Sequence, residues 1–193
     1  LPRAVGAAPG ATVRDVTSGT CGLGLWGPRA RAILEPLTEQ SLDNDAFPYF
    51  SARSFHVGAV PVTALRLSYV GEYGWELHTP SEYGGALWDL LVESGEQHGL
   101  VTCGTVAMDS LRLEKGYRGL GTDLLADRTP AESGLGFVVA AGKSGFLGEA
   151  AARQAPRSQL CALAFDDPAV SVHGNEPILA AGRAVGYVTS ANT

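Results

Sequence analysis

The chain has 193 residues, a formal net charge of −6 and 45% hydrophobic residues. This composition is typical of a globular protein and excludes a disordered one. The negative charge, without any run of Lys or Arg, argues against nucleic acid as a partner. No apolar run is long enough to span a bilayer, so we expect no membrane partner and take the cytoplasm as the expected location.

Cysteine and histidine spacing bears on disulfides and on metal binding. The three cysteines are far apart and odd in number, which argues against a disulfide framework. The four histidines show no metal-ligand spacing among themselves or with cysteine. These residues are Cys21, Cys103, Cys161, His56, His78, His98 and His173. The sequence therefore predicts no bound metal.

The first predicted elements are two strands and a helix. Short apolar stretches predict strands at residues 11–15 and 22–26. A helix is predicted at residues 28–37, because proline is favoured at the first helical position and Pro28 stands there.

The segment from Gly22 to Gly27 satisfies G-x-G-x-x-G, the pattern of a dinucleotide-binding loop. That loop needs its last glycine inside a helix and an acid about 20 residues further on, at the end of a strand. Here Pro28 follows at once, and Asp43 and Asp45 lie in a polar turn. We therefore predict a glycine-rich strand end before a helix, and no dinucleotide site.

A hairpin is predicted from residues 55–58 and 62–70. In its second strand Leu65, Leu67 and Tyr69 alternate with polar residues, which is the period-2 pattern of a half-buried strand. The chain is then expected to turn and return as another strand.

The turn and the return strand hold the most informative residues of the chain. Gly71 and Gly74 can adopt positive φ at little cost, which favours a tight turn. Trp75 and Leu77 share one face of the return strand, because side chains alternate along a strand. Glu76 is therefore expected on the opposite face.

Glu76 and Tyr69 form the candidate binding site that this segment predicts. A carboxylate beside a phenol suits a flat heterocycle with an amidine-like N–H pair, because such an edge donates two parallel hydrogen bonds to one carboxylate. The residues by themselves leave a second interpretation open, an ordinary hairpin with a solvated glutamate.

Two helices and a run of short strands complete the predicted fold. One helix is predicted at residues 81–98, with Ser81 as N-cap and Gly99 as the stop, and another at 105–115. Short strands are predicted at residues 160–165, 177–179 and 185–189. Strands with grouped helices favour an α+β fold, with antiparallel sheets and packed helices, over a βαβ repeat.

Three motifs in order carry a resemblance to a known family. They are Tyr69-Val-Gly-Glu-Tyr-Gly-Trp-Glu76, Met108-Asp-Ser-Leu-Arg-Leu-Glu-Lys-Gly116 and Thr129-Pro-Ala-Glu-Ser-Gly-Leu135. The chain resembles the glycine-cleavage T-protein (aminomethyltransferase) family, most closely the folate-binding carboxyl-terminal portion of dimethylglycine and sarcosine dehydrogenases. The similarity continues through residues 174–178 and 185–190, so it covers nearly the whole chain.

The resemblance implies the domain organisation of a longer protein. Residues 1–147 resemble the aminomethyltransferase-like folate-binding domain without its beginning. Residues 148–193 resemble the start of a small carboxyl-terminal β-barrel domain. The implied fold is α+β followed by part of a β-barrel, and the chain is expected to be an internal piece of a larger protein.

The resemblance also implies a chemistry. Members of the family bind tetrahydrofolate, which captures a one-carbon unit and becomes 5,10-methylenetetrahydrofolate. The unit arrives as an aminomethyl group on a lipoyl carrier protein, or as a demethylation product made at a flavin. FAD is accordingly expected only in a separate domain of the parent protein. The implied partners are small-molecule folate and either a flavin domain or a lipoyl carrier protein.

The family pattern assigns folate contacts to three residues of this chain. Glu76 matches the carboxylate that grips the pterin edge, and Tyr69 matches a phenol that lines the folate pocket. Arg112 has two open assignments: a contact to the folate glutamate tail, or a salt bridge with Asp109 on the same predicted helix.

Two departures from the family pattern bear on activity. Met108 stands where other members often place an arginine, which leaves Lys115 and Arg118 as alternative cations for the tail. The family's catalytic aspartate is expected upstream of the region that Leu1 onward matches, so no catalytic residue is predicted and the parent protein is the expected enzyme. The alternative function is a non-catalytic folate-fold module for binding or interaction.

Overall fold

A computed structural model describes residues 10, 12–167 and 169–192. The chain forms two compact units. The first unit comprises Leu1–Ser68 and Glu72–Thr102, and the second comprises Tyr69–Gly71 and Cys103–Thr193. The predicted domain boundary between residues 147 and 148 stays a prediction.

The first unit is built on a four-stranded antiparallel sheet. Its strands are β1 (Thr20–Trp26), β2 (Ala52–Val57), β3 (Val60–Leu65) and β4 (Gly74–Pro80). They pair in the order β1-β4-β3-β2. The unit also contains the helices α1 (Ala30–Leu34) and α2 (Gly84–Gly95). Single 3-10 turns follow α1 and flank α2, at Glu35–Leu37, Ser81–Tyr83 and Glu96–His98.

One face of this sheet is apolar and forms the core with the helices. Trp75 and Leu77 of β4 are fully buried, and Glu76 between them lies on the opposite face, as their alternation predicts. Leu87 and Leu91 of α2 belong to the same buried cluster. Burying a side chain of this size contributes about 1.5–3 kcal/mol, so the alternation along β4 is strongly favoured over its reverse.

The second unit contains two helices and a small antiparallel sheet. Its elements are α3 (Thr105–Glu114), α4 (Glu149–Ala152), β5 (Pro177–Ala180) and β6 (Arg183–Tyr187). The helix predicted at 105–115 and the last two predicted strands are confirmed with small shifts. Both sheets are antiparallel, so the predicted α+β class is confirmed. The strands among the described residues do not close a barrel.

The strand predicted at residues 11–15 is wrong over its described part. Residues 12–15 form no strand, and Ala11 lies outside the described residues. The Asp15 carboxylate accepts hydrogen bonds from Thr17 N at 3.0 Å and from Thr17 Oγ1 at 2.7 Å. Such a local turn satisfies the backbone without a partner strand and so competes with a ladder.

The strand predicted at residues 160–165 is also wrong. No strand forms there, although the apolar residues favour one. Leu160 N instead donates to Glu132 O at 2.8 Å, a single bond to a turn. A strand needs a ladder of such bonds to a neighbour, and one contact does not supply it.

The strand predicted at residues 62–70 ends earlier than expected. Beyond its end, the polar residues that alternate with the leucines are the more buried ones. β3 ends at Leu65, where Leu67 N donates back to Leu65 O at 2.9 Å and breaks the extended chain. Arg66 is buried at 6% exposure, whereas Leu65, Leu67 and Tyr69 are half-buried. The guanidinium of Arg66 lies 3.9 Å from the centre of the Tyr73 ring, and this cation–π contact stabilises the buried charge.

The two predicted helices of the first unit are confirmed, but their ends differ. Only residues 30–34 of the first are α-helical, because Pro36 has no N–H to continue the ladder. The predicted N-cap is wrong: Ser81 Oγ donates to Ser18 O at 2.9 Å, and α2 begins three residues later. Gly99, at φ +69 and ψ 36, is the stop that the sequence predicts.

Neither a membrane-spanning helix nor a metal-binding cluster occurs in the described part of the chain. No helix within residues 10, 12–167 and 169–192 is long and apolar enough to cross a bilayer. Within the same ranges, no group of three or more His, Cys, Asp and Glu side chains could hold a metal ion.

Candidate functional site

The sheet face that points away from the core of the first unit carries the candidate site. Glu76 and His78 lie on this face of β4, because they alternate with its buried residues. Gly24 of β1 pairs with Glu76, and Gly22 pairs with His78. We call this surface the open face. It is defined by Gly22, Gly24, Trp26, Ser54, Thr63, Leu65, Glu76 and His78.

The glycines of β1 place no side chain of their own beside the carboxylate, so neighbouring rings can pack directly on the strand backbone. A Cβ at Gly24 would lie only 2.6 Å from the ring of Trp26, so the indole packs against the bare backbone there. The indole Nε1 donates to Leu67 O at 3.2 Å, which holds the ring in place. The open face therefore presents a shallow surface with an indole and a carboxylate close together.

The Glu76 carboxylate is placed to accept hydrogen bonds from a ligand on the open face. Its side chain is 28% exposed, and its Oε2 lies 3.5 Å from His78 Nε2. A carboxylate can accept two parallel N–H bonds from one planar group, and partial burial strengthens them. A flat heterocycle with an amidine-like N–H pair fits this arrangement, with the Trp26 ring available for apolar contact.

The backbone that carries Glu76 is fixed by a close approach between β4 and β1. Gly74 has φ +153, and a Cβ on it would lie 1.9 Å from Leu25 O. On the other side of the turn, Gly27 N donates to Tyr73 O at 2.7 Å. Only glycine fits at position 74, so the register of the site depends on it.

Two arginines hold the ring that precedes Gly74. Arg66 Cζ lies 3.9 Å from the centre of the Tyr73 ring, and Arg66 Nη1 donates to Gly74 O at 3.2 Å. Arg31 donates from Nε and Nη2 to the Tyr73 hydroxyl at 2.9 and 2.7 Å. The Tyr73 ring also meets Trp75 edge-on, with 5.2 Å between centres. These contacts immobilise the turn from which Glu76 projects.

Tyr69 and Arg112, the other predicted folate contacts, belong to the second unit, whereas Glu76 belongs to the first. The Tyr69 hydroxyl donates to Arg118 O at 2.9 Å, and the centre of its ring lies 6.4 Å from that of Tyr117. The phenol is thus already anchored by a backbone carbonyl. Its assignment to a folate pocket stays a prediction.

Arg112 is 1% exposed, and its guanidinium is bonded on every side. Its Nε donates to Asp109 at 2.6 Å, Nη1 to Asp123 at 2.5 Å and Nη2 to Ser190 at 2.9 Å. Burial lowers the pKa of Arg112, but the bonds to the two carboxylates outweigh it and raise the pKa above its usual value. The predicted salt bridge with Asp109 is confirmed, and the contact to the folate tail stays a prediction.

Asp123 is the buried carboxylate that neutralises Arg112. It accepts hydrogen bonds from Gly119 N and Ser190 Oγ at 2.8 Å each, and another from Thr189 Oγ1. Burial raises the pKa of Asp123, but these bonds, led by that of Gly119, hold the pKa below its usual 3.8. No motif in the sequence marks this aspartate, because its partners come from separate segments.

Glu132 closes the turn in the third motif as a capping box. Its Oε2 accepts from Thr129 N at 2.9 Å, and Thr129 Oγ1 accepts from Glu132 N at 3.2 Å. Its Oε1 accepts from Arg157 N at 3.0 Å. The Thr129 and Arg157 backbone N–H groups lower the pKa of Glu132 from 4.5 to about 2.

Glu132→Gln is expected to remove part of the acid sensitivity of the protein. Because the pKa is lower in the folded state, the carboxylate stabilises the fold above pH 4.5, and this contribution disappears as the pH falls toward about 2. Urea midpoints measured across that range should therefore vary less with pH in the variant than in the wild type. Glu114→Gln, at an exposed position of α3, is the matched control and should keep the wild-type pH dependence. An equally steep dependence in Glu132→Gln would contradict the assignment.

Trp26 and His78 are not among the predicted site residues, yet both lie on the open face. The glycine-rich segment Gly22–Gly27, which contains Trp26, is the sequence signal that could have pointed to this face. Residues 22–26 lie inside β1 and pair with β4, so the predicted glycine-rich strand before a helix is confirmed. The glycines at 22 and 24 repeat with the period of a strand, which indicates a strand with no side chains on one face rather than a phosphate loop.

Comparison with known proteins adds family membership to this geometry. A model of the GCVT N-terminal domain matches residues 3–143. Dimethylglycine dehydrogenase, mitochondrial, of Homo sapiens is 39% identical over 185 residues, which cover 92% of this chain and 21% of that protein. Sarcosine dehydrogenase, mitochondrial, of Homo sapiens is 38% identical over 176 residues, covering 88% and 19%. Aminomethyltransferase of Caldanaerobacter subterraneus subsp. tengcongensis is 33% identical over 182 residues, covering 92% and 48%.

The chain spans about a fifth of the two dehydrogenases and about half of the aminomethyltransferase. The domain model covers well over half of the chain and includes all three sequence motifs. The chain therefore belongs to the GCVT N-terminal domain family, the glycine-cleavage T-protein (aminomethyltransferase) family that its motifs resemble.

Proposed function

We propose that this chain is the folate-binding part of a protein that transfers one-carbon units to tetrahydrofolate. The observation that carries the proposal is the Glu76 carboxylate on the open face, paired across the sheet with Gly24 and close to the Trp26 indole. A pterin is a flat heterocycle whose amidine-like edge presents an N–H pair, and one carboxylate can accept both bonds. Family membership supports the same class of ligand.

In this proposal the chain binds and orients the folate. Glu76 accepts the two N–H bonds of the pterin edge, and Trp26 offers an apolar surface beside it. Tyr69 is proposed to line the pocket and Arg112 to contact the glutamate tail, as the family pattern predicts. Tetrahydrofolate, when bound, supplies the nitrogen atoms that take up the one-carbon unit. Fixed orientation and exclusion of bulk water are the protein's contribution to such a reaction.

The finer chemistry is proposed for the whole protein rather than for this part. The product is 5,10-methylenetetrahydrofolate. The relatives are named dimethylglycine dehydrogenase, sarcosine dehydrogenase and aminomethyltransferase, which suggests dimethylglycine, sarcosine or an aminomethyl group as the source of the one-carbon unit. The family resemblance adds the proposal that FAD acts in a separate domain in the first two cases and that a lipoyl carrier protein delivers the aminomethyl group in the third. The cytoplasmic location stays a prediction.

Glu76→Gln is expected to weaken tetrahydrofolate binding by about tenfold to a hundredfold. The amide presents N–H groups where the pterin needs an acceptor, and a hydrogen bond to a charged group contributes about 1.5–3 kcal/mol. The measurement is a calorimetric titration of tetrahydrofolate into the folded wild type and variant under reducing conditions. Unchanged affinity would remove Glu76 from the site.

Glu93→Gln is the matched control for this titration. Glu93 lies exposed on α2 of the same unit, so the same isosteric change there should leave the affinity unaltered. If the wild type binds but the parent protein transfers no one-carbon unit, the non-catalytic folate-binding module becomes the better description. If the folded wild type does not bind, the folate proposal for this chain fails.

A further inference from the structure

His78 stands beside Glu76 on the open face but belongs to none of the recognised motifs. Its Nε2 lies 3.5 Å from Glu76 Oε2, close enough for an ion pair and just too far for a good hydrogen bond. The same nitrogen is shielded from water and has no hydrogen-bond partner among the described residues. A shielded polar atom without a partner is unfavourable, so a small approach toward the carboxylate is favoured.

The imidazole of His78 packs against the backbone of β1 at Gly22, which has no side chain. Gly22 pairs with His78, and a Cβ on Gly22 would lie 3.2 Å from His78 Nδ1 and 3.3 Å from Cε1. The ring therefore packs over the glycine, much as the indole of Trp26 packs over Gly24. Glu76 is the only carboxylate among the residues that define the open face, so the partner of the imidazole is unambiguous.

The Glu76 side chain must adopt one conformation to present both carboxylate oxygens to a ligand. Its side chain has several rotatable bonds, and ordering them on binding reduces affinity. The tautomer with a proton on Nε2 is favoured next to a carboxylate oxygen, because a lone pair there would be repelled. One N–H bond from His78 to Oε2 uses a single lone pair and leaves acceptors on both oxygens for a ligand.

We propose that His78 is a positioning residue that orients the Glu76 carboxylate for a ligand with paired N–H donors. The inference rests on the proposed function, because it takes the pterin edge as that ligand. His78 does not touch the pterin in this arrangement and transfers no proton. It reduces the conformational freedom of Glu76 before the ligand arrives, and the hydrogen bond shortens when the ligand binds.

The test is a double-mutant cycle on tetrahydrofolate affinity, measured by calorimetry on the whole chain. His78→Asn is expected to weaken binding by about threefold to fivefold, the range for a partly exposed charge-assisted contact. His78→Gln, whose longer amide can still donate to Glu76, should keep most of the affinity. In the Glu76→Gln background, His78→Asn should change the affinity little, because the group it orients is gone.

His56→Asn is the matched control. His56 lies on β2 and faces the same side of the sheet as Ser54. Its partner on the neighbouring strand is Pro61, so no carboxylate lies directly opposite it. It should leave the affinity unchanged. As a second readout on the unmutated chain, the imidazole ¹⁵N resonances of His78 should shift when tetrahydrofolate is added.

The possible outcomes separate this inference from the proposed function. If the folded wild type does not bind tetrahydrofolate, the proposed function and the inference both fail. If the wild type binds but Glu76→Gln does not weaken binding, Glu76 is removed from the site and the inference fails with it, while folate binding by the chain stands. If Glu76→Gln weakens binding but His78→Asn does not, only the inference fails. Equal losses from His78→Asn in both backgrounds would also overturn it, because they would show that His78 acts independently of Glu76. Unmoved His78 resonances on ligand binding would do the same.

Discussion

Gly74→Ala is expected to destabilise the first unit by about 3 kcal/mol or more, from backbone strain together with a steric clash. The φ of +153 is a conformation that residues with a Cβ rarely adopt, and the new Cβ would lie 1.9 Å from Leu25 O. That oxygen belongs to the backbone of β1 and cannot move without breaking the ladder with β4. The strain therefore cannot be relieved by a side-chain rotation.

Urea unfolding followed by tryptophan fluorescence measures this effect, because Trp75 is fully buried in the core. Gly85→Ala is the matched control. Gly85 lies inside α2, and a Cβ there would meet nothing within 4 Å. Gly85 is the second residue of α2, where alanine gains less over glycine than the roughly 0.5–1 kcal/mol of a helix interior, so this control should be neutral or slightly stabilised. Equal stability of Gly74→Ala and the wild type would contradict the close approach of the two strands.

Gly74 also affects the candidate site, because Glu76 lies two residues further along β4. A backbone shift at Gly74 would move the carboxylate relative to Gly24 and Trp26. Any Gly74→Ala protein that folds should therefore bind tetrahydrofolate more weakly than the wild type. This couples the stability of the sheet to the proposed function.

Asp123→Asn is the second change with a large expected effect, a destabilisation of the second unit by about 3 kcal/mol or more. The side chains of Asp123 and Arg112 are only 6% and 2% exposed, and their closest atoms are 2.5 Å apart. Removing the negative charge leaves the guanidinium buried with only Asp109 to neutralise it. The amide also presents an N–H group toward donors such as Gly119 N.

Thermal unfolding of Asp123→Asn and of Asp127→Asn provides the comparison. Asp127 is 68% exposed and lies 3.8 Å from Arg128, so the same change there should have almost no effect. The pKa of Asp123 is depressed in the folded state, so its contribution is present above pH 3.8 and is lost as the pH falls below that value. The difference between Asp123→Asn and the wild type should accordingly shrink in acid. A destabilisation no larger than that of Asp127→Asn would refute the buried pair.

The contacts of Arg112 also clarify what its two predicted roles require. Its N–H groups already have partners in Asp109, Asp123, Ser190 and the Tyr117 carbonyl. A folate glutamate tail would have to share or displace one of them. The salt bridge is therefore the role that the chain supports by itself, and the tail contact remains a prediction for the ligand-bound protein.

Local alternation was enough to predict the return strand that carries the site. Trp75 and Leu77 are inside and Glu76 is outside, because the two faces of a strand follow directly from the period of 2. The positive φ values of Gly71 and Gly74 were likewise predictable, since only glycine adopts them cheaply. The helix stop at Gly99 has the same local origin.

The preceding strand shows where local alternation is insufficient. Leu65 and Leu67 favour burial by composition, but Arg66 is the buried residue. The reason is the cluster of rings supplied by Tyr73 and Trp75 after the turn, which accepts the guanidinium. Whether an arginine can be buried depends on such partners, and the alternation of apolar residues does not reveal them.

The sequence by itself determined the α+β class, the family resemblance, the turn glycines and the side of β4 on which Glu76 lies. These are properties of short segments or of motifs in a fixed order. Only the tertiary structure decided that Gly22 and Gly24 pair with His78 and Glu76, that Trp26 covers one of those glycines, and that Arg112 is buried against Asp123. The physical reason is that strand register and the burial of charge depend on contacts between segments far apart in the chain, and local periodicity carries no information about them.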